Sequence, residues 1–174
     1  AIWKLSFKPA PVQGASIEKM AFPLPDKPSI AVLPFMNMSG NPQEDYFSDG
    51  LTEQIITSLS KIDKLFVIAR NSTFSYKGKP VKIQKVAEDL GVRYVLEGSV
   101  RKSGDKLRIT AQLIDALTGY HMWSEHYDRE LKDIFALQDE ITIKIIYAMR
   151  IELTEGEQVR VWMKKGRTDN LKAL

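Results

Sequence analysis

The stretch that decides the fold is PSIAVLPFMNMSGNPQEDYFSDGLTEQIITSL, residues 28–59. Residues 29–35 form a short apolar run that is rich in β-branched residues, which is typical of a central strand covered on both faces. A loop with Gly, Asn and Pro follows at 37–42, and the apolar residues after it recur at helical spacing: Phe47, Leu51, Ile55, Leu59 and Ile62. The stretch therefore predicts a strand, a loop and an amphipathic helix, and α/β proteins usually bind ligands at such a junction.

The remaining chain predicts a second such unit followed by an antiparallel meander. Residues 65–70 (LFVIAR) indicate a second buried strand, and residues 83–90 indicate a short helix that ends at Gly91. Alternation with period two then marks three strands within 92–128, with turns at 103–105 and 117–119. A last helix is predicted over 131–153. The order βαβαβββα predicts an α/β fold with a mixed five-stranded sheet and flanking helices.

The two ends of the chain differ from this domain in composition. Residues 1–27 are rich in proline and predict a stiff linker. At its start, Trp3 beside Lys4 resembles the interfacial end of a membrane helix, and the alternative is an apolar tail that packs on the domain or on a neighbour. We predict that the domain spans residues 28–155 and that the polar, basic residues 156–174 form a connector.

Composition restricts the function classes. The 174 residues are 44% hydrophobic and 27% charged, and the net charge of +3 is spread without a long basic run, which argues against nucleic-acid binding. The absence of cysteine excludes disulfides and thiol catalysis. No segment reaches the roughly 20 apolar residues that a membrane span needs.

Reactive motifs are not apparent. The first loop has one glycine, Gly40, and lacks the Gly-Lys-Ser/Thr of a phosphate-binding loop. His121 and His126 lie five residues apart on a predicted strand, so we expect them on opposite faces, where they cannot share a metal ion. With two histidines and no nucleophile motif, a serine triad is not expected. We predict no catalytic residues, no metal and no cofactor.

Acidic residues at the start of the first helix are the candidate partner-binding residues. Asp45, Asp49 and Glu53 follow the spacing i, i+4, i+8 and share one helix face. They form either a solvated acidic stripe or a contact surface for a cationic partner. Gly50, inside the same helix, indicates close packing against a strand or, as a second interpretation, a ligand over the helix start.

A small-ligand site is the alternative hypothesis. Asn37 and Ser39 follow the first strand, and Arg70, Asn71 and Ser72 end the second. Polar groups beyond the carboxyl ends of neighbouring parallel strands can bind a metabolite.

The segment EGSVR, residues 97–101, is the remaining unusual feature. Gly98 in mid-strand indicates a bulge or a close backbone approach. Glu97 and Arg101 share a strand face, and we expect them to form an ion pair, with Arg108 on the next strand as a further partner.

Five stretches together resemble a known family: DKPSIAVLPF, DYFSDGLTEQIITSL, LFVIARNSTFSYKGK, VAEDLGVRYVLEGSVRKSGDKLRITAQLIDALTG and LKDIFALQDEI, within 26–141. They resemble the TolB amino-terminal-like domain of bacterial adenylate/guanylate cyclase and tetratricopeptide-repeat proteins. The resemblance implies an anticodon-binding-domain-like sandwich and transfers no catalytic residue. It also implies a cyclase domain and a membrane segment upstream, and RTDNLKAL at the C-terminus is similar to the lead-in to tetratricopeptide repeats.

The function expected from this resemblance is that of a non-catalytic regulatory module in a membrane-tethered signalling protein. Its partner is expected to be another protein or a second copy, bound at an exposed sheet edge or at the acidic helix start. Contact with a membrane is expected only through a segment upstream of this chain. The location implied is the cell envelope on the periplasmic side, with the cytoplasm as the alternative.

Overall fold

The structure is a computed structural model that describes residues 14–151. It has six strands: β1 Ser29–Val32, β2 Met36–Asn37, β3 Phe66–Val67, β4 Tyr94–Ser103, β5 Lys106–Asp115 and β6 Tyr120–Glu130. It has four α-helices: α1 Asp45–Ser60, α2 Arg70–Phe74, α3 Ile83–Leu90 and α4 Ile134–Ala148. Short 3₁₀ turns lie at Ile17–Lys19, Pro42–Glu44 and Leu131–Asp133.

All six strands form one mixed sheet, in the order β3-β1-β4-β5-β6, with β2 also paired to β4. The pairs β1–β3, β1–β4 and β2–β4 are parallel, whereas β4, β5 and β6 form an antiparallel meander. The predicted α/β class, with a mixed sheet and flanking helices, is therefore confirmed.

Two local assignments differ from the prediction. The chain forms β2 after a break at 33–35, which places a sixth strand beside β4. The predicted strand at 65–70 is only two residues long, because α2 begins at Arg70 and takes residues assigned to a strand end and a loop. β3 is an edge strand with one neighbour, β1, so little pairing opposes the turn into α2.

The core lies mainly between one sheet face and the helices α1 and α4. Alternate residues of the meander point into it, and they pack against apolar residues of both helices, among them Leu96, Val100, Ile109, Leu113, Ile55 and Ile141. A smaller cluster lies on the opposite sheet face below α3 and includes Ala31, Val86, Val95 and Ala116. Burial of these apolar surfaces is the main stabilising contribution to the fold.

The two glycines inside regular elements have different surroundings. A Cβ at Gly98 would lie 2.7 Å from Cε2 of Phe35 and closer still to the carbonyl oxygen of Thr110, so the predicted close approach is present. A Cβ at Gly50 would meet no heavy atom within 4 Å outside its own helix. The expected close packing of Gly50 is therefore wrong, because this glycine points away from the sheet.

The described part of the predicted linker lies on the domain. The amide of Ala15 donates to the carbonyl of Ala116 at 2.6 Å, and the amide of Ala21 donates to the carbonyl of Glu88 at 2.8 Å. Phe22 packs over Gly91, whose positive φ of 66° and lack of a side chain allow this contact. Residues 14–22 therefore differ from an extended tether. The predicted membrane-proximal tail, residues 1–13, and the connector, residues 156–174, lie outside the described residues.

No helix between residues 14 and 151 has the length and apolar character needed to cross a bilayer.

Candidate interaction surfaces

The acidic residues of α1 are paired with cations of the same chain. Lys77 Nζ lies 2.5 Å from Asp49 Oδ2 and 3.8 Å from Asp45 Oδ2. Arg70 Nε, at the start of α2, lies 3.2 Å from Glu53 Oε2. The three carboxylates thus share a helix, but their charge is largely matched before any partner approaches. That they form a partner-binding surface stays a prediction.

The polar residues after β1 are engaged in holding their own loop. Asn37 Nδ2 donates to the carbonyl of Asn41 at 2.8 Å and to Asp45 Oδ1 at 2.7 Å. Ser39 Oγ accepts from the amide of Lys102 at 2.8 Å, which ties the loop to β4. A ligand at this loop would have to replace these bonds or share the same groups.

The second part of the predicted ligand site lies at the start of α2. Arg70 places its guanidinium carbon 3.9 Å from the ring centre of Phe74, in a cation–π contact, while Asn71 and Ser72 are exposed. Nearby on α1, the hydroxyl of Ser48 is buried and finds no hydrogen-bond partner among the described residues. Whether these residues form a ligand site stays a prediction.

A surface that the sequence reasoning missed lies on the sheet face opposite α1 and α4. Leu107, Ile109 and Leu113 of β5 point into the core, so the residues between them point the other way. Register extends this face across three strands. We call it the polar sheet face: Glu97, Ser99 and Arg101 on β4, Arg108, Thr110 and Gln112 on β5, and Ser124, His126 and Asp128 on β6. The polar sheet face ends at Val95, which belongs to the smaller apolar cluster below α3.

Side chains on the polar sheet face pair across strands rather than along β4. Gln112 Nε2 donates to Glu97 Oε1 at 2.9 Å, and Arg108 donates to both carboxylate oxygens of Asp128, at 2.7 and 3.1 Å. The expected ion pairs of Glu97 with Arg101 and Arg108 are therefore wrong, because Glu97 and Arg108 each have a different partner directly opposite on the neighbouring strand. Burial raises the pKa of Glu97, whereas hydrogen bonding to Arg108 lowers the pKa of Asp128.

The two histidines lie on the same sheet face, which corrects the prediction. Leu113 pairs with Trp123 but Ile114 pairs with His121, so Met122 is an extra residue in β6. A β-bulge of this kind shifts the alternation by one residue. His126 pairs with Thr110, and three intervening rows of the sheet separate it from His121. Residues 14–151 contain no group of three or more His, Asp or Glu that could hold a metal ion.

Two exposed methionines border the polar sheet face. Met36 of β2 pairs with Ser99, and the amide of Met38 donates to the carbonyl of Val100 at 2.7 Å. Their exposures, 63% and 54%, are high for large apolar side chains. Alternation along the strand places both on the same side as Ser99. Exposed Met beside Arg is a composition enriched in protein–protein contact surfaces.

Comparisons with known proteins place the chain among regulatory domains. Residues 26–144 match a family described as "HilA/YgeH-like transcriptional regulator, second domain". A curated relative, "Putative adenylate cyclase 3" of Rhizobium meliloti (strain 1021), is 64% identical over 137 residues. The match covers 79% of this chain and 23% of that relative, so the chain spans about a quarter of its length.

Two solved structures share the fold. TolB from Acinetobacter baumannii aligns with a TM-score of 0.53 and 20% identity, over 75% of this chain and 30% of TolB. Lipoprotein GNA1162 from Neisseria meningitidis aligns with a TM-score of 0.50 and 20% identity, over 68% of this chain and 96% of the lipoprotein. The expected TolB-like fold is confirmed, whereas tetratricopeptide repeats stay a prediction.

Proposed function

The chain belongs to the family of HilA/YgeH-like transcriptional regulator second domains, and from this membership we propose that it is a non-catalytic regulatory domain that binds a protein partner. The matched family is a regulator's domain and not a cyclase catalytic domain. The parent protein is proposed to be an adenylate or guanylate cyclase, on the ground of the 64% identity to a putative adenylate cyclase.

The observation that carries the proposal is the polar sheet face with Met36 and Met38 at its border. Both methionines are more than half exposed, and Arg101, Arg108 and His126 of the polar sheet face are exposed as well. Desolvating exposed methionines favours association, while the charged rows restrict which partner can bind. The face thus has the apolar and polar components of a contact surface.

A photo-crosslinking amino acid in the full-length parent protein tests this surface in living cells. At Met38 we expect a covalent adduct with one defined protein, and we expect cyclic nucleotide output to change when Met36 and Met38 are both replaced by Asp. The same probe at Tyr46 reports on the acidic helix start, and at Tyr147, exposed on α4, it serves as the control. Adducts of equal yield at all three positions, or none at Met38, would contradict the proposed surface.

The absence of catalysis has its own test. The 174-residue chain, incubated with ATP or GTP and Mg²⁺ or Mn²⁺, should yield no cyclic nucleotide above a protein-free blank. Formation of product that survives further purification and varies with chain concentration would contradict the proposal.

Location and neighbouring domains follow from the same proposal. We place the domain in the cell envelope, periplasmic and tethered by a membrane segment upstream of this chain, with tetratricopeptide repeats downstream. The likeness to a lipoprotein fold is compatible with this placement. Protease added to spheroplasts should cleave the domain in the full-length parent. Protection until the cells are lysed would place the domain in the cytoplasm.

A small-ligand sensor is the second candidate, and the unpartnered hydroxyl of Ser48 favours it. A bound metabolite reaching α1 would satisfy this buried group, which otherwise lowers stability. A thermal-shift screen of nucleotides and metabolites tests it, since a ligand that binds only the folded chain raises Tm. A hit whose stabilisation is lost in N71A would support this site, since Asn71 is exposed and its replacement should leave the fold intact, whereas a screen without hits removes it.

A further inference from the structure

A groove of about 770 Å³ lies at the far end of the meander, where the polar sheet face meets the β4–β5 turn. Three strands supply most of its polar lining through successive rows of the sheet, namely Arg101, Ser103, Lys106, Arg108, Asp128 and Glu130. Arg129, Lys132 and Asp133 add further charges at its border.

Two arginines face each other in this groove. Arg101 and Arg108 are direct register partners on antiparallel strands, where Cβ atoms lie about 4.5–5.5 Å apart and like charges destabilise the pair. Asp128 bonds Arg108 from the opposite side with both carboxylate oxygens. Arg101 finds no ion-pair partner within residues 14–151. One guanidinium therefore remains unpaired next to another positive charge.

The chemistry of this pair selects an acidic ligand. A carboxylate placed between two guanidinium groups accepts charge-assisted hydrogen bonds from both and removes their repulsion. Nucleic acid is the competing polyanion, and it is disfavoured because the net charge of the chain is only +3 and is spread without a long basic run. Asn37 pairs with Val100, so the next residue, Met38, lies beside Arg101 and adds an apolar group to the surface.

We propose that this groove binds an extended acidic segment of a protein partner, with one carboxylate bridging Arg101 and Arg108 and a neighbouring apolar side chain resting on Met38. The proposal rests on the function proposed above and adds the chemistry of the partner. It assigns Arg101 to partner recognition rather than to the stability of the free domain.

Fluorescence anisotropy with the 174-residue chain tests the groove. The probe is a labelled peptide of alternating Glu and Val, compared with its Gln-for-Glu counterpart and with labelled oligo(dT). We expect the Glu peptide to bind and R101Q to weaken it about tenfold, the scale of one lost charge-assisted hydrogen bond. K79Q removes an equally exposed cation elsewhere and should leave binding unchanged. Added salt should weaken binding by the wild type more than by R101Q.

A stability measurement separates recognition from a structural role. Because R101Q relieves the repulsion with Arg108, it should raise Tm at low salt while it weakens peptide binding. A lower Tm would show that Arg101 is structural and would overturn the proposal. So would equal binding of both peptides, tighter binding of oligo(dT), or self-association that R101Q abolishes. If Met38 crosslinks to a protein in cells and R101Q leaves that adduct unchanged, the proposed function stands and this inference fails.

Discussion

Replacing Gly98 by alanine tests how tightly the sheet packs on the core. The added methyl group would approach the ring of Phe35 to 2.7 Å and the carbonyl of Thr110 even more closely. Phe35 is buried in the core, and its amide donates to Thr52 Oγ1 at 2.9 Å, which fixes its backbone, so its ring can move only by displacing neighbouring core side chains. Overpacking costs about 1–3 kcal/mol, and the smaller loss of backbone entropy in alanine returns about 0.5–1 kcal/mol. We expect G98A to lower the free energy of unfolding by about 1–2 kcal/mol.

Urea unfolding followed by circular dichroism measures this change, with G50A as the matched control. Gly50 also lies inside a regular element, but a Cβ there meets no neighbour within 4 Å. G50A should therefore raise the free energy of unfolding by up to about 1 kcal/mol, the helix propensity difference between the two residues. Equal m-values would show that both changes act on stability. If G98A is as stable as the wild type, or if both substitutions shift stability in the same direction, the packing argument is wrong.

Three further predictions concern buried or paired groups. S48A should leave stability unchanged or raise it, because it removes a buried hydroxyl without a partner; a loss above about 1 kcal/mol in urea unfolding would show that the hydroxyl is satisfied. Burial and hydrogen bonding to Asp89 raise the pKa of Tyr76 to about 12, whereas the value in the unfolded chain is 10.0. The stability that this pKa difference contributes is therefore present below pH 10 and should be lost as the pH rises from 10 to 12. Unfolding of the wild type and Y76F measured against pH gives this contribution as the loss of stability that Y76F does not show. K77Q should cost less than about 1 kcal/mol at low salt and less still at high salt, since the ion pair with Asp49 is partly exposed; a loss that salt leaves unchanged would contradict a surface ion pair.

Periodicity alone was sufficient for the main elements of the fold. Leu107, Ile109, Ala111 and Leu113 alternate in sequence, and all four are buried on one sheet face. A period of two is a property of neighbouring residues, so it can be read without knowing what packs against the strand. The same holds for α1, whose apolar spacing predicted its buried face.

Features that depend on contacts distant in sequence were not predictable in this way. The bulge at Met122 arises from how β5 and β6 pair, and no local pattern marks it. It reverses which residues share a face, and so the expectation for His121 and His126 failed. Similarly, the hydrogen bond from Ala15 to Ala116 joins residues about a hundred positions apart, whereas the local prolines predicted an extended linker.

For a related reason, the structure favours a different candidate site from the one that the sequence predicted. The junction after β1 contains the side chains that sequence reasoning favoured, but Asn37 and Ser39 hold the loop and Asp45 accepts a bond from Asn37. Polar residues that satisfy one another reduce what a ligand can gain, because each new bond replaces an existing one. Arg101 is the opposite case, since its neighbours leave it unpaired beside a like charge. A partner carboxylate there forms bonds without breaking any, and the groove is therefore the more favourable place for recognition.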